Sequence, residues 1–164
     1  MLFRSRFGSM CTDEYISDYV TKSFEQESKW FGVDHIDGYL VATCHAAIYN
    51  GEAELGCCVD EDFRGEGLAQ QMFDRAVTWL RTKGITNVFM HCLTENAAMR
   101  HIARKNDMTV VSGYGDTDAN VEVEPATPAT FLQDSYMDRI AMYDMYYKNS
   151  YRLFDFYWNR QTHA

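Results

Sequence analysis

The stretch Val59-Asp60-Glu61-Asp62-Phe63-Arg64-Gly65-Glu66-Gly67-Leu68-Ala69-Gln70-Gln71-Met72 carries the clearest chemistry in this chain. A strand runs out, a short loop turns, and a helix starts near Gly67. The start of a helix exposes backbone N–H groups without partners, at the positive end of the helix dipole. Gly65 and Gly67 remove side chains that would keep an anion away, and small Ala69 lets the first helical turn approach too. Arg64 adds a fixed positive charge at the rim. Such a loop can wrap a pyrophosphate with backbone donors. A lone Gly-x-Gly reads more plainly as a surface turn, but the spacing Arg-x-x-Gly-x-Ala between a strand and an amphipathic helix is more specific. No βαβ unit begins here, so this is not a dinucleotide fingerprint, and no Gly-Lys-Ser/Thr follows, so it is not a Walker loop.

A second constellation comes from a turn. Asn50–Gly51 is a two-residue hairpin signal. It sets Tyr49 opposite Glu52, Ala47 opposite Glu54, His45 opposite Gly56 and Cys44 opposite Cys57. Alternation then places His45, Ala47, Glu54, Gly56 and Cys58 on one sheet face, with Glu54 and His45 as diagonal neighbours. A carboxylate and an imidazole so placed could remove a proton from a nucleophile. Cys44, Cys57, His91 and Cys92 raise the question of a metal. Zinc ligands usually project from turns, whereas these residues lie inside strands, where cysteine is a common small apolar residue. No metal site is expected. Cys58 as an acyl-carrying nucleophile is conceivable, but a direct transfer is simpler.

The elements that would position these groups follow from periodicity. Residues 12–22 predict a short helix with Tyr15, Ile16, Tyr19 and Val20 on one stripe. Residues 29–36, 39–49 and 52–59 predict three antiparallel strands joined at Asp37–Gly38 and Asn50–Gly51. Residues 67–83 predict a helix ended by Gly84. A strand over 85–93, a helix over 96–106 capped by Asn96, and a strand pair over 108–114 and 120–124 complete the pattern. After Pro125 and Pro128 the chain becomes rich in Tyr, Phe and Met. Leu132, Tyr136, Ile140, Tyr143, Tyr147, Tyr151, Phe154 and Trp158 recur at helical spacing. This stripe is expected to pack on the sheet or on a partner subunit. A lid over the site is the second reading, and the lack of a dense Lys/Arg face argues against a membrane surface.

Length and charge bound the function. The 164 residues suit one core, read as a domain over 1–124 with a helical extension over 125–164. The net charge of −9 opposes phosphate neutralisation, so nucleic acid is a poor partner and a cationic amine a better one. No apolar run reaches bilayer length and no secretory signal opens the chain. Five cysteines, with Cys57 and Cys58 adjacent, do not form a secreted disulfide framework, and the expected setting is a reducing cytoplasm.

With these residues in place, the segment resembles the acyl-CoA signature of the GNAT superfamily of N-acetyltransferases, Arg/Gln-x-x-Gly-x-Gly/Ala. The order of hairpin, strand, loop, long helix, strand and Asn-led helix is similar too. The clear match spans about residues 52–108 and the coarser one about 12–124. The resemblance implies an α/β (α+β) fold, with a mixed, mostly antiparallel central sheet flanked by helices. It implies acetyl-CoA as co-substrate, with the pantetheine arm along Cys57, Cys58 and Val59. The pyrophosphate would lie on Arg64, Gly65, Glu66, Gly67, Leu68 and Ala69, with Asn96 beside the pantetheine. Glu54 resembles the general base of several protein-acetylating branches, with His45 assisting. The implied reaction is direct acetyl transfer to a primary amine on a small molecule, polyamine or protein lysine, and a homodimer is possible. Two departures stand out. Ala103 occupies the position of the family's acidic tyrosine, and Asp107-Met108 replaces its usual Gly-aromatic pair. They motivate a second reading, a non-catalytic acyl-CoA-binding regulatory module. A third is an interaction protein built on the aromatic segment.

Overall fold

The computed structural model describes Thr12, Glu14, Ser17, Asp18, Thr21 and residues 27–94, 96–112 and 116–162. Strands β1 (Ser28–Asp34), β2 (Leu40–Tyr49) and β3 (Glu52–Val59) come first, then a single 3-10 turn over Glu61–Phe63. Helix α1 (Leu68–Thr82), β4 (Asn87–Leu93), α2 (Ala97–Lys105), β5 (Thr109–Ser112), β6 (Asp116–Glu122) and α3 (Pro128–Thr162) follow. The six strands form one sheet in the order β1-β2-β3-β4-β6-β5. β3 and β4 run parallel, and every other pair is antiparallel. This is the mixed, mostly antiparallel sheet that the sequence implied. Of the helix expected over 12–22, Glu14, Ser17, Asp18 and Thr21 are helical. Its stripe of Tyr15, Ile16, Tyr19 and Val20 lies outside the described residues.

The hairpin register is the one the Asn50–Gly51 turn dictates. Both turn residues have positive φ, 50° and 86°, which is the twist that matches two right-handed strands. Cys44 pairs with Cys57, His45 with Gly56 and Ala47 with Glu54. One sheet face carries Ala42, Cys44, Ala46, Ala53, Leu55, Val88 and Met90, all nearly inaccessible. Against it pack Met72, Phe73, Ala76 and Leu80 of α1 and Met99, Ile102 and Ala103 of α2. Each large apolar side chain so buried contributes about 1.5–3 kcal/mol.

Both site-flanking helices end in the same way. The Gly84 N–H donates to Arg81 O and the Ile85 N–H to Leu80 O. Gly84 is left-handed at φ 78°. This double bond satisfies the last carbonyls of α1. At the end of α2 the Asp107 N–H donates to Arg104 O and the Met108 N–H to Ala103 O. Asp107 takes φ 55° itself, and Met108 is buried. The departure from Gly-aromatic therefore keeps the closure and fills the same place with a different apolar group.

The aromatic stripe does not pack on the sheet. α3 begins at Thr127-Pro128, where Thr127 and Thr130 bond reciprocally and cap the start. It is then held by polar contacts on one side. Arg75 of α1 bonds both Asp134 and Asp138, and Lys29 of β1 reaches Asp138 at 3.2 Å. Farther along, Arg152 bonds Asp34 at 2.5 Å and the carbonyls of His35 and Ile36, both at 2.8 Å. Lys148 joins Asp34 O at 2.8 Å and Asp144 at 2.6 Å. Leu132, Tyr136, Tyr143, Tyr147 and Phe154 stay exposed. Of the two coverings expected for the stripe, the sheet or a partner subunit, the sheet is not the one. The charged face of α3 fits the charged surface of α1 and β1, and the apolar face has no described segment over it.

Candidate functional site

A cleft of about 910 Å³ opens where β3 and β4 part. The two strands pair only at Glu52–Asn87, Ala53–Val88 and Glu54–Phe89. Beyond that point β3 continues to Val59, held by β2, and β4 continues to Leu93, held by β6. Two strand edges thus diverge, and an unpaired edge offers backbone donors and acceptors to an extended ligand. Cys57, Cys58 and Val59 form the β3 wall of the cleft.

The loop and the start of α1 form its floor. Gly65 and Gly67 both lie in the left-handed region, at φ 88° and 80°. A Cβ at Gly65 would meet no protein atom within 4 Å, and one at Gly67 would meet only the end of Gln71. The space that glycine leaves is therefore open cleft. Gly67 caps α1 without a side-chain bond, and no acidic residue stands in the first turn. The first-turn N–H groups are thus directed at whatever anion enters. Arg64 is exposed at the rim, bonding Val59 O at 3.4 Å and facing Glu61 at 3.8 Å.

The sequence-predicted cofactor residues all line this cleft except Glu66, which is exposed and whose carboxylate would repel a phosphate. Asn96 caps α2, its Oδ1 accepting from the Met99 N–H at 3.2 Å, so the amide nitrogen is not used in the cap. The α2 wall of Ala98, His101, Ile102 and Lys105 was not anticipated. Its spacing of three and four is a legible helical stripe that a reading centred on the loop passes over. Gln70 and Asn106 exchange two amide bonds, of 2.9 and 3.1 Å, and clasp the start of α1 to the end of α2.

Glu54 is half-buried on β3, opposite Ala47 and beside Phe89 at the point of divergence. His45 is 3 % exposed and stacks on Trp30 at 4.1 Å. His91 lies two residues beyond Phe89, on the same sheet face as Glu54. Its Nδ1 is 2.6 Å from Asp118 Oδ1 on β6, and its ring is 45 % exposed. A reading that weighed His91 only as a metal ligand missed this pair, because strand alternation does not reveal which residue of β6 lies opposite. Among the described residues no group of three or more His, Cys, Asp or Glu could hold a metal. Burial pushes the Cys58 thiol up, more than the Arg64 charge pulls it down, which disfavours a thiolate there. Ala103 is buried in the core, and among the described residues none of α3 lines the cleft.

The divergent strands, the glycine loop and the two flanking helices define an acyl-transferase class of fold and site. The chain belongs to the Acetyltransferase (GNAT) family, whose sequence profile matches residues 2–108. Solved structures of the same fold include the ribosomal-protein-S18-alanine N-acetyltransferase of Escherichia coli. It shares 14 % identity and a TM-score of 0.61, over 77 % of this chain and 86 % of that one. A GNAT acetyltransferase of Staphylococcus aureus Mu50 shares 9 % identity and a TM-score of 0.62, over 72 % and 84 %. The PaiA N-acetyltransferase of Thermoplasma acidophilum, solved with coenzyme A, shares 14 % identity and a TM-score of 0.55, over 71 % and 83 %. No curated protein sequence matches the chain.

Proposed function

We infer that the protein transfers an acetyl group from acetyl-CoA directly to a primary amine on a cationic acceptor. The observation that carries this reading is the cleft at the β3/β4 divergence, floored by left-handed Gly65 and Gly67 at the start of α1. Acetyl-CoA supplies an activated acyl group as a thioester. The first-turn N–H groups of α1, with Arg64 and Lys105 at the cleft, would hold its pyrophosphate. The free edge at Cys57, Cys58 and Val59 would take the pantetheine, with Asn96 beside it.

The acceptor amine is protonated near neutral pH and must lose a proton before it can attack. Glu54, at the last β3–β4 pair and three residues before the cleft wall at Cys57, is the proposed base, directly or through water. Buried His45 supports that face of the sheet from beneath Trp30. His91 is a second base candidate on a specific observation: Asp118 Oδ1 lies 2.6 Å from its Nδ1 and orients the ring on the same sheet face as Glu54. The net charge of −9 favours a cationic acceptor.

Release of CoA thiol, measured against a panel of small amines, polyamines and lysine peptides, tests the proposal. Glu54→Gln should lower the amine-dependent rate about 100-fold or more while leaving acetyl-CoA affinity unchanged. A wild-type rate in Glu54→Gln with a comparable loss in His91→Gln would move the base to His91. The second reading, a non-catalytic acyl-CoA-binding module, rests on buried Ala103 and on the lack of any tyrosine among the described cleft residues. Tight acetyl-CoA binding without thiol release for any amine would establish it.

A further inference from the structure

At about 100° per residue, Tyr136, Tyr147 and Phe154 point opposite Asp134, Asp138 and Arg152. α3 therefore docks to its own domain with its charged face and holds its large apolar side chains outward. The stripe is regular. Leu132, Tyr143 and Phe154 recur every eleven residues, and so do Tyr136, Tyr147 and Trp158. An eleven-residue repeat keeps a stripe nearly straight along a helix instead of drifting around it. From Leu132 to Trp158 it covers about seven turns, or about 39 Å, a shape that only another long, straight element can cover.

The stripe also reads nearly the same in both directions. Leu132 and Trp158 lie thirteen residues either side of Met145, Tyr136 and Phe154 nine, and Tyr143 and Tyr147 two. Ile140 and Tyr151, five and six away, complete it. We propose that α3 is the interface of a homodimer, two copies pairing antiparallel about a twofold axis at the level of Met145. Leu132 then meets the partner's Trp158, Tyr136 meets the partner's Phe154, and Tyr143 meets the partner's Tyr147. A twofold interface needs such a self-complementary patch.

Charge and area agree with this occupant. Residues 128–162 hold four Asp and four Lys or Arg, so the helix is neutral while the rest of the chain carries the −9. Neutral helices can approach each other with the acidic domains held on their outer sides. An anionic membrane would repel those domains, and α3 has no basic face to offset this. Six of the eight stripe residues are aromatic, at about 150–250 Å² each. Because these side chains are only partly exposed, from 47 % at Tyr151 to 75 % at Tyr143, two facing stripes offer on the order of 1,000–2,000 Å², the size of a stable specific interface. The anchors at Arg75 and Lys29 near one end and at Asp34 and Ile36 farther along fix the helix before it pairs, which lowers the ordering cost.

Sedimentation analysis of the full chain tests this. The wild type should be a dimer at micromolar concentration. Tyr143→Glu with Tyr147→Glu places like charges across the axis and should weaken the dimer by about 100-fold or more, with far-UV circular dichroism unchanged. Tyr143→Glu with Tyr147→Lys sets opposite charges across an antiparallel axis and should retain more dimer than the double Glu variant. A parallel pair would lose the dimer in both. A wild type that is monomeric at 100 μM, alone or when bound to anionic phosphatidylserine vesicles, overturns the proposal. So does a dimer that the double Glu variant leaves intact, or a Glu/Lys variant as weak as the double Glu variant.

Discussion

Gly67 combines two demands that no other residue type meets. Its φ of 80° lies where a Cβ is strained, and its missing side chain leaves cleft space open at the first turn of α1. Filling that space should abolish ligand entry without touching the core. Calorimetry is expected to give micromolar acetyl-CoA affinity in the wild type and none in Gly67→Trp, with circular dichroism unchanged. Asp107 makes only the first of these demands. It holds φ 55° at the end of α2 with its side chain exposed, so glycine there should relieve strain at no cost in packing. Asp107→Gly is expected to stabilise the fold by about 0.5–1 kcal/mol and to raise the melting temperature by a few degrees, read by thermal denaturation.

Among the elements, α1 and α2 have to keep a fixed separation for the cleft to exist. The Gln70–Asn106 amide exchange is the polar link between their facing ends, half-buried beside Ile102. Removing one partner leaves the other without its amide, at a cost of about 1–3 kcal/mol. Gln70→Leu is therefore expected to lower stability by that amount and to weaken acetyl-CoA affinity as well. Denaturant titration and calorimetry on the same variant check both. A hairpin whose register is set by its own two-residue turn was readable without tertiary information, because Asn-Gly favours φ > 0 at both positions. The β3/β4 divergence was not, since the pairing of two strands separated by α1 in sequence depends on how that helix packs across the sheet.

Across the whole molecule, α3 is latched by ion pairs whose titration has a definite sign. The Arg152 hydrogen bond, ahead of burial, which works the other way, holds the Asp34 carboxyl below its usual range. Burial pushes Asp138 up, but Lys29 and Arg75 outweigh it and hold that carboxyl low. A lowered carboxylate contributes stability above the unfolded value of about 3.9, and this is lost as the pH falls through the folded value. Burial lowers Lys148, but Asp144 and Asp34 together raise it. Its contribution is full below the unfolded value of about 10.4 and fades as the pH rises past that. Hydrogen exchange of amides 128–162 is expected to be protected from about pH 5 to 9. Protection should fall below about pH 4, before the amides of β2 and β3 open. Asp34→Asn should shift that loss toward neutral pH.

The sequence alone determined what local chemistry controls: the loop spacing, the Asn50–Gly51 register, the helix caps and the family resemblance. Each depends on residues within a few positions of one another, where backbone preference and periodicity act directly. It also carried the α3 stripe in full, but it left open whether the sheet or a partner subunit would cover it. Only the tertiary structure turned the stripe away from the sheet. Arg75, Lys29 and Asp34 lie far from α3 in sequence, and their charges meet Asp134, Asp138, Lys148 and Arg152 only once the sheet and α1 have assembled. The His91–Asp118 pair has the same origin. Opposite charges were plain in the chain, but which of them would meet was set by strand order and helix packing, through contacts that periodicity does not encode.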